Sequence, residues 1–251
     1  MKKLIASLLA LCMLLSLTAA FAEAKDYGTL EAGKFIYATS PDFLPFEGRD
    51  DADNVIGIEP DLLAVICEKL GLTLEPYAVD FTSALAAPGA GKADAVVSGV
   101  TIKEDRKASL DFTIPYVTIR QGIVCKAGAG ITMENIGEHT IGVQEGTTGH
   151  QDAVDDFGED HVTAYGTYAL AFQALTGGQV DCILLDDIVA KDYIKRIPGL
   201  EFAETTYAPE EFGFGFAKGK YAELLADFNA TLEELIADGT VESIILKWQN
   251  Q

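Results

Sequence analysis

The residues with the clearest chemistry stand where an apolar, strand-like segment at 95–98 gives way to a polar one. Gly99 comes directly after that segment, and a glycine in this place lets a ligand approach the backbone closely. Arg106 follows one or two helical turns later and offers a two-pronged donor for a carboxylate. Such a group suits the carboxyl end of a strand in an open α/β sheet. The alternative is an ordinary strand-to-helix turn with a solvated arginine.

The elements that must position these residues alternate between two hydrophobic patterns. Apolar, strand-like segments are separated by stretches such as 57–71, where Leu62, Leu63, Ile66 and Leu70 recur at helical spacing. Alternation of strands and helices is the signature of a parallel sheet, so we predict an α/β fold. The predicted strands are 34–39, 72–77, 95–98, 141–144, 162–165, 182–185 and 212–217.

Two passages of the chain repeat one pattern. Residues 91–99 and 178–186 each have glycine and aspartate three residues apart, then an apolar strand, then a polar end. The second passage ends at Asp186, with Asp187 as its neighbour. Two similar α/β lobes that face each other across a cleft would explain this repetition.

The first residues and the net charge restrict the class of protein. Residues 1–24 combine Lys2 and Lys3, an apolar run and small residues, which is typical of a secretory signal peptide. The net charge is −21, and cleavage would remove Lys2, Lys3 and Glu23 to leave −22. This charge argues against nucleic acid and anionic membrane surfaces as partners. No later stretch approaches about 18 consecutive apolar residues, so no further membrane span is predicted.

Cysteine and histidine give no sign of a metal or catalytic centre. Cys67, Cys125 and Cys182 lie in apolar contexts after the leader, which favours buried free thiols and leaves one disulfide possible in an exported protein. Their spacing supports no metal site, and the histidines are few and scattered. We therefore expect neither a metal nor a cofactor.

Several passages together resemble a known family, the extracellular solute-binding proteins of amino-acid ABC importers that take up polar amino acids. These passages are A-T-S-P-D-F-L-P-F-E, V-I-G-I-E-P-D-L-L-A-V-I-C-E-K-L-G, G-K-A-D-A-V-V-S-G-V-T-I-K-E-D-R, D-F-T-I-P-Y, I-G-V-Q-E-G-T-T, G-Q-V-D-C-I-L-L-D, and the tail segments G-F-G-F-A-K-G, L-I-A-D-G-T and K-W. They follow the family's order and cover nearly all of the chain after residue 24.

The resemblance implies a type II periplasmic-binding-protein fold with two α/β lobes joined by two extended hinge strands. Lobe 1 would comprise residues 25–116 and 213–251, and lobe 2 would comprise 120–207. The hinges would lie at about 116–120 and 208–212. Ligand would bind between the lobes, which would close on it.

The resemblance also implies a role for individual residues. Arg106 would pair with the ligand's α-carboxylate and Asp186 with its ammonium group. Gly99 and Thr101 would contact the same groups, and Thr148, at a helix start, would donate its backbone N–H to the carboxylate. Phe43 and Phe81 would cover the aliphatic part of the ligand. The two remaining expected contacts are Ser40 and Gln144.

Departures from the family pattern leave the ligand open. Thr101 and Glu104 also match a capping box, which would use the threonine hydroxyl within the helix. Ser40 stands where basic-ligand members carry an acid, although Asp42 or Glu145 could substitute for it. Gln144 suits an amide or hydroxyl. We therefore expect a neutral polar amino acid first and a basic one second.

The expected function is capture of an L-amino acid outside the cytoplasm, in the periplasm or at the extracellular surface, and its delivery to an ABC permease complex by a monomeric protein that is not an enzyme. One alternative is a cyclohexadienyl or arogenate dehydratase-like enzyme on the same scaffold, with Glu145 as a general acid. Another is a module that senses ligand for a membrane receptor.

Overall fold

The computed structural model describes residues 25–250, and the signal peptide predicted at 1–24 lies outside the described residues. The fold is α/β and has two lobes, each built around a five-stranded sheet. Both predictions, the mixed α/β class and the two lobes, are confirmed. Within the described range, no helix combines the length and apolar composition that crossing a membrane requires.

The sheet of the first lobe has the strand order β4-β1-β5-β14-β6. Its three N-terminal strands run parallel, whereas β14 returns from the C-terminal part of the chain and pairs antiparallel with β5 and β6. The elements of this lobe are β1 (Lys34–Thr39), β2 (Gly48–Arg49), β3 (Val55–Ile56), α1 (Ile58–Leu70), β4 (Thr73–Ala78), α2 (Phe81–Ala86), β5 (Ala95–Val96), α3 (Glu104–Lys107), β6 (Leu110–Phe112), β14 (Gly215–Ala217), α7 (Ala222–Ala237) and α8 (Thr240–Gln249).

The sheet of the second lobe has the order β10-β9-β11-β8-β12. Strands β9, β10 and β11 are parallel, and β8 is antiparallel to both of its neighbours. The elements of this lobe are β8 (Gln121–Lys126), β9 (Ile141–Gln144), α4 (Thr148–Phe157), β10 (Val162–Tyr165), α5 (Tyr168–Gly177), β11 (Cys182–Asp186), α6 (Asp187–Arg196), β12 (Leu200–Glu204) and two 3-10 turns, Ile136–Glu138 and Glu159–His161.

The chain passes between the two sheets through a third, two-stranded sheet. Strand β7 (Val117–Ile119) pairs antiparallel with β13 (Glu210–Phe212). The single strand predicted at 212–217 is therefore divided in two. The division falls at Gly213 and Phe214, whose backbone N–H groups donate instead to Val100 O and Thr113 Oγ1.

Helix α1 shows how local sequence fixes an element. Its apolar face is buried against the core, and Gly71 ends the helix in the left-handed conformation, with φ of 70°. Only glycine adopts that conformation without a steric penalty from Cβ. Aromatic rings fill the centre of the first lobe, where the Phe35 and Phe228 ring centroids lie 4.9 Å apart.

The three described cysteines are buried and unpaired, in keeping with the prediction of free thiols. Cys125 and Cys182 face each other in register on β8 and β11. Burial raises the pKa of the Cys67 and Cys182 thiols to about 12, so both stay protonated at neutral pH.

Candidate functional site

A small pocket lies between the two lobes. Strand ends from both five-stranded sheets meet there, as the carboxyl ends of strands do in α/β folds. The lining residues are Ser40, Phe43, Glu47, Phe81, Ser98, Gly99, Thr101, Arg106, Gln144, Thr147, Thr148 and Asp186. All nine residues predicted for a site are therefore brought together, along with three that the sequence did not suggest: Glu47, Ser98 and Thr147.

Arg106 connects the two lobes at one side of the pocket. Its Nη1 donates to Thr101 O at 3.0 Å within its own lobe, and its Nη2 donates to Gly146 O at 3.2 Å in the other. The guanidinium carbon lies 5.7 Å from the centroid of the Phe81 ring. Burial lowers the pKa of Arg106 from its usual value, but an arginine remains charged at any physiological pH. The pocket therefore contains a fixed cation.

Asp186 supplies a buried anion from the second lobe. Gln121 Nε2 donates to its Oδ1 at 2.6 Å, and burial together with the nearby Glu210 raises the pKa of Asp186 well above its usual value. Asp187, the neighbour most easily confused with it, forms an ion pair with Lys191 at 2.6 Å and does not line the pocket. A cationic ligand group at Asp186 would stabilise its charged form.

Thr101 is not a helix cap. Helix α3 begins after Lys103, which provides no side-chain cap, and the Thr101 hydroxyl donates to Glu210 Oε2 at 2.7 Å. The capping-box interpretation of Thr101 and Glu104 is therefore wrong. Glu210 belongs to β13, so Thr101 ties the pocket wall to the segment between the lobes.

The helix start beside the pocket is capped by a residue that sequence reasoning missed. The Thr147 hydroxyl accepts from His150 N at 3.1 Å and donates to Gln144 O at 2.8 Å. It therefore holds the end of β9 against the start of α4. Thr148, the first residue of α4, lines the pocket at that start. A helix N-terminus favours an anion, as the prediction for Thr148 requires.

Aromatic side chains form the apolar wall. Phe43 stacks on Tyr168 of the other lobe, with ring centroids 5.6 Å apart and planes 20° from parallel. Gly99 lies directly against Phe43, and an added Cβ would stand 2.5 Å from Phe43 Cε1. Its φ of 57° also disfavours any side chain. Glycine at position 99 is thus needed for the ring to close this side of the pocket.

Glu47 is the main pocket residue that the sequence did not suggest. It is buried, and Ser98 Oγ donates to its Oε1 at 2.8 Å. Its Oε2 has no hydrogen-bond partner among the described residues. One signal was available: Glu59, which approaches Glu47, lies on the same face of α1 as Leu62, Leu63 and Ile66. A carboxylate on an apolar helix face needs a polar partner nearby.

Asp42 and Glu145, the two carboxylates that the sequence offered in place of an acid at position 40, do not line the pocket. The Asp42 carboxylate accepts from Ser40 Oγ at 2.9 Å and from Tyr168 N at 2.8 Å, which joins the first loop to the start of α5. Glu145 is exposed, so it is also not placed as a general acid for the dehydratase-like alternative. Gln144 does line the pocket, and its amide donates to Gly166 O at 3.3 Å.

No group of three or more histidine, cysteine or acidic side chains within residues 25–250 is placed to hold a metal ion. The pocket lining combines one cation, Arg106, two buried carboxyl groups, Glu47 and Asp186, and aromatic cover, which is an arrangement that can accept a zwitterion. Residues 35–251 match the family described as bacterial extracellular solute-binding proteins, family 3.

The chain belongs to that family. A match of this length also supports the type II periplasmic-binding-protein fold, from which the two lobes were predicted.

Named relatives agree with this assignment. The arginine-binding extracellular protein ArtP of Bacillus subtilis (strain 168) is 31% identical over 259 residues, which cover 99% of this chain and 98% of ArtP. An ancestral arginine-binding protein bound to glutamine superimposes with a TM-score of 0.82 at 34% identity, over 87% of this chain and 98% of that one. An ancestral arginine-binding protein bound to arginine gives a TM-score of 0.80 at 35% identity, over 86% and 98%.

Proposed function

We propose that this protein captures an L-amino acid in the interlobe pocket, outside the cytoplasm, and delivers it to the permease of an ABC importer. The observation that carries the proposal is the pairing of opposite charges from different lobes. Arg106 takes the α-carboxylate and Asp186 takes the ammonium group. Neither lobe alone satisfies the zwitterion, so ligand binding favours the closed arrangement.

The pocket favours a basic side chain over a neutral polar one, which reverses the order expected from the sequence. That expectation rested on the uncharged Ser40, but Glu47 supplies a buried carboxylate in the same pocket. A buried cation without a partner is costly, and Glu47 offers the partner. The relatives named for arginine support the same class of ligand.

The ligand class can be tested with matched amino acids. We expect L-arginine to bind more tightly than L-citrulline, which has the same shape but no charge on its side chain. A ligand at 100 times its dissociation constant should add about 2.7 kcal/mol to the free energy of unfolding, visible as a thermal shift. D-Arginine is the control for the zwitterion contacts and should bind poorly. Equal or tighter binding of citrulline or glutamine would contradict the assignment of a basic ligand.

We propose hinge bending as the motion that admits the ligand. Lobe 1 comprises residues 25–116 and 213–251, lobe 2 comprises 120–207, and the hinges lie at 116–120 and 208–212. The pairing of β7 with β13 supports this division, because those strands are the segments that connect the two sheets. Contacts that join the two lobes beside the pocket then stabilise the closed form. We call the hydrogen bond from Tyr168 N to Asp42 the latch.

Asp42 is the most direct test of that latch. Asp42→Ala removes the carboxylate that accepts from Tyr168 N but leaves the stacking of Phe43 on Tyr168. Hydrogen bonds to charged groups contribute about 1.5–3 kcal/mol, so we expect roughly tenfold or more loss of affinity for L-arginine. The loss should appear mainly as faster dissociation in stopped-flow measurements. Asp51→Ala, which removes an exposed acid, is the control. A dissociation rate equal to that of Asp51→Ala would argue against the latch.

A further inference from the structure

Glu47 lines the pocket, and Glu59 is a second buried carboxyl group behind it. Both side chains are almost fully buried, with 1% and 0% exposure, and they bind adjacent residues, since Ser98 Oγ donates to Glu47 and Gly99 N donates to Glu59. Two ionised carboxylates held close together away from water repel each other, and burial together with the charge on Glu59 raises the pKa of Glu47 well above its usual value. This arrangement favours a state in which one of the two keeps its proton.

The surrounding donors show which group carries the charge. Glu59 accepts from the backbone N–H of Gly99 at 3.1 Å and from the hydroxyl of Tyr116 at 2.6 Å. Glu47 receives only the Ser98 hydroxyl, and its Oε2 has no donor among the described residues. The two donors stabilise the charged form of Glu59, whereas Glu47 has a single donor. The proton of the pair is therefore better placed on Glu47.

The other titratable groups nearby do not offset the repulsion between the two carboxyl groups. On the loop of Glu47, Asp42 raises the pKa of Glu47, as does Glu59 from α1. Tyr37 of β1 and Tyr116 stay neutral, since burial raises the pKa of both phenols. Arg106 and Asp186 line the same pocket and supply opposite charges for the backbone groups of a ligand. A cation that pairs with Glu47 would therefore have to come from the side chain of the ligand.

We propose that the Glu47–Glu59 pair holds one proton while the pocket is empty or contains a neutral side chain, and that a cationic ligand side chain displaces it. This inference rests on the proposed function. The O–H bond of the acid breaks, its proton passes to a buffer base, and an N–H donor of the ligand takes its place on the carboxylate. One positive charge replaces another, so the charge enclosed by the pocket does not change.

This exchange predicts how affinity depends on pH. While the free pair holds its proton, arginine must expel it, so arginine affinity rises up to about tenfold per pH unit as pH increases. The rise ends at the apparent pKa of the free pair, above which no proton remains to be lost. Citrulline needs no such exchange at this pair. The ratio of the two affinities should therefore increase with pH up to the same point.

Calorimetry in buffers of different ionisation enthalpy directly counts the protons that are released when the ligand binds. The raised pKa of Asp186 means that any ligand ammonium can also displace a proton, so citrulline provides the necessary reference. At about pH 6 we expect L-arginine to release about one more proton than L-citrulline. Tight arginine binding with the same proton count as citrulline at every pH from about 5 to about 8 would overturn the inference while leaving the proposed function intact. Failure of arginine to bind at all would instead overturn the assignment of a basic ligand.

Variants of the pair give a second, independent readout. Glu59→Gln leaves a single carboxyl with an amide donor beside it, so Glu47 should ionise more easily and the extra proton should disappear while arginine still binds. Citrulline binding reports that this variant is folded. Glu145→Gln, an exposed residue outside the pocket, is the control and should keep the full proton count.

A milder variant keeps both carboxyl groups and changes the pKa of the pair. Tyr116→Phe removes one donor from Glu59, so the pKa of the pair should rise and proton release should persist to higher pH. A folded Glu59→Gln protein that still releases the extra proton, or an unshifted pH profile in Tyr116→Phe, would overturn the assignment to this pair.

Discussion

Arg106→Ala should reduce the affinity for L-arginine by about 2–5 kcal/mol, or roughly 30- to 5,000-fold. The guanidinium is the one fixed cation in the pocket lining, and its loss leaves the ligand carboxylate enclosed without a partner. Arg106→Lys should also bind poorly, because an ammonium group cannot pair with a carboxylate through two parallel hydrogen bonds. Calorimetry measures both effects.

Arg49→Ala provides the control for Arg106. Arg49 is an exposed arginine whose side chain contacts Asp53 in a surface loop, so its removal should leave affinity unchanged. Circular dichroism should show that all three variants fold. Affinities of the Arg106 variants within about twofold of Arg49→Ala would rule out the role of Arg106 as the carboxylate anchor.

Asp186→Asn should produce the second large effect, again about 2–5 kcal/mol of binding free energy for any L-amino acid. The amide still accepts from Gln121 Nε2, so the local geometry is kept while the charge that faces the ligand ammonium is lost. Asp187→Asn is the matched control, since Asp187 pairs with Lys191 outside the pocket. Equal loss in both variants would show that Asp186 has no special role.

The same substitution should stabilise the empty protein. Burial and Glu210 raise the pKa of Asp186 in the folded state, so the unfolded chain releases this proton at lower pH than the folded one. Stability therefore falls as pH rises from the unfolded value near 4 towards the folded pKa. Asp186→Asn removes this penalty. Its melting temperature should exceed that of the parent at neutral pH, and the difference should vanish below about pH 4.

The sequence predicted most of the fold because its core elements are locally consistent. Strand β1 and helix α1 fall within one residue of the predicted bounds, since buried strands are continuous apolar runs and Gly71 marks a helix end. The segment 212–217 was predicted as one strand because it is uniformly apolar and aromatic. Its division depends on Val100 and Thr113, which are distant in sequence, so local pattern could not show it.

The candidate site was predictable to a similar extent. Arg106 and Asp186 follow strands, where polar residues indicate a site. Glu47 was missed because it ends an aromatic loop, and its burial depends on the approach of Ser98 and α1. Asp42 was considered as a pocket carboxylate because it is near Ser40 in sequence. Its side chain is instead used at the start of α5, on the other lobe, which sequence proximity does not show.

The position of β14 in the first sheet has a consequence for the order of folding. Strand β14, near the C-terminal end, lies between β5 and β6, which belong to the N-terminal half. If the chain emerges from its N-terminal end, β5 and β6 must therefore wait with unpaired edges until residue 217 has emerged. Strands β8–β12 form a sheet from one continuous stretch of chain and have no such delay. The second lobe can thus assemble first, and the first lobe is the one that needs protection from edge-to-edge association before it is complete.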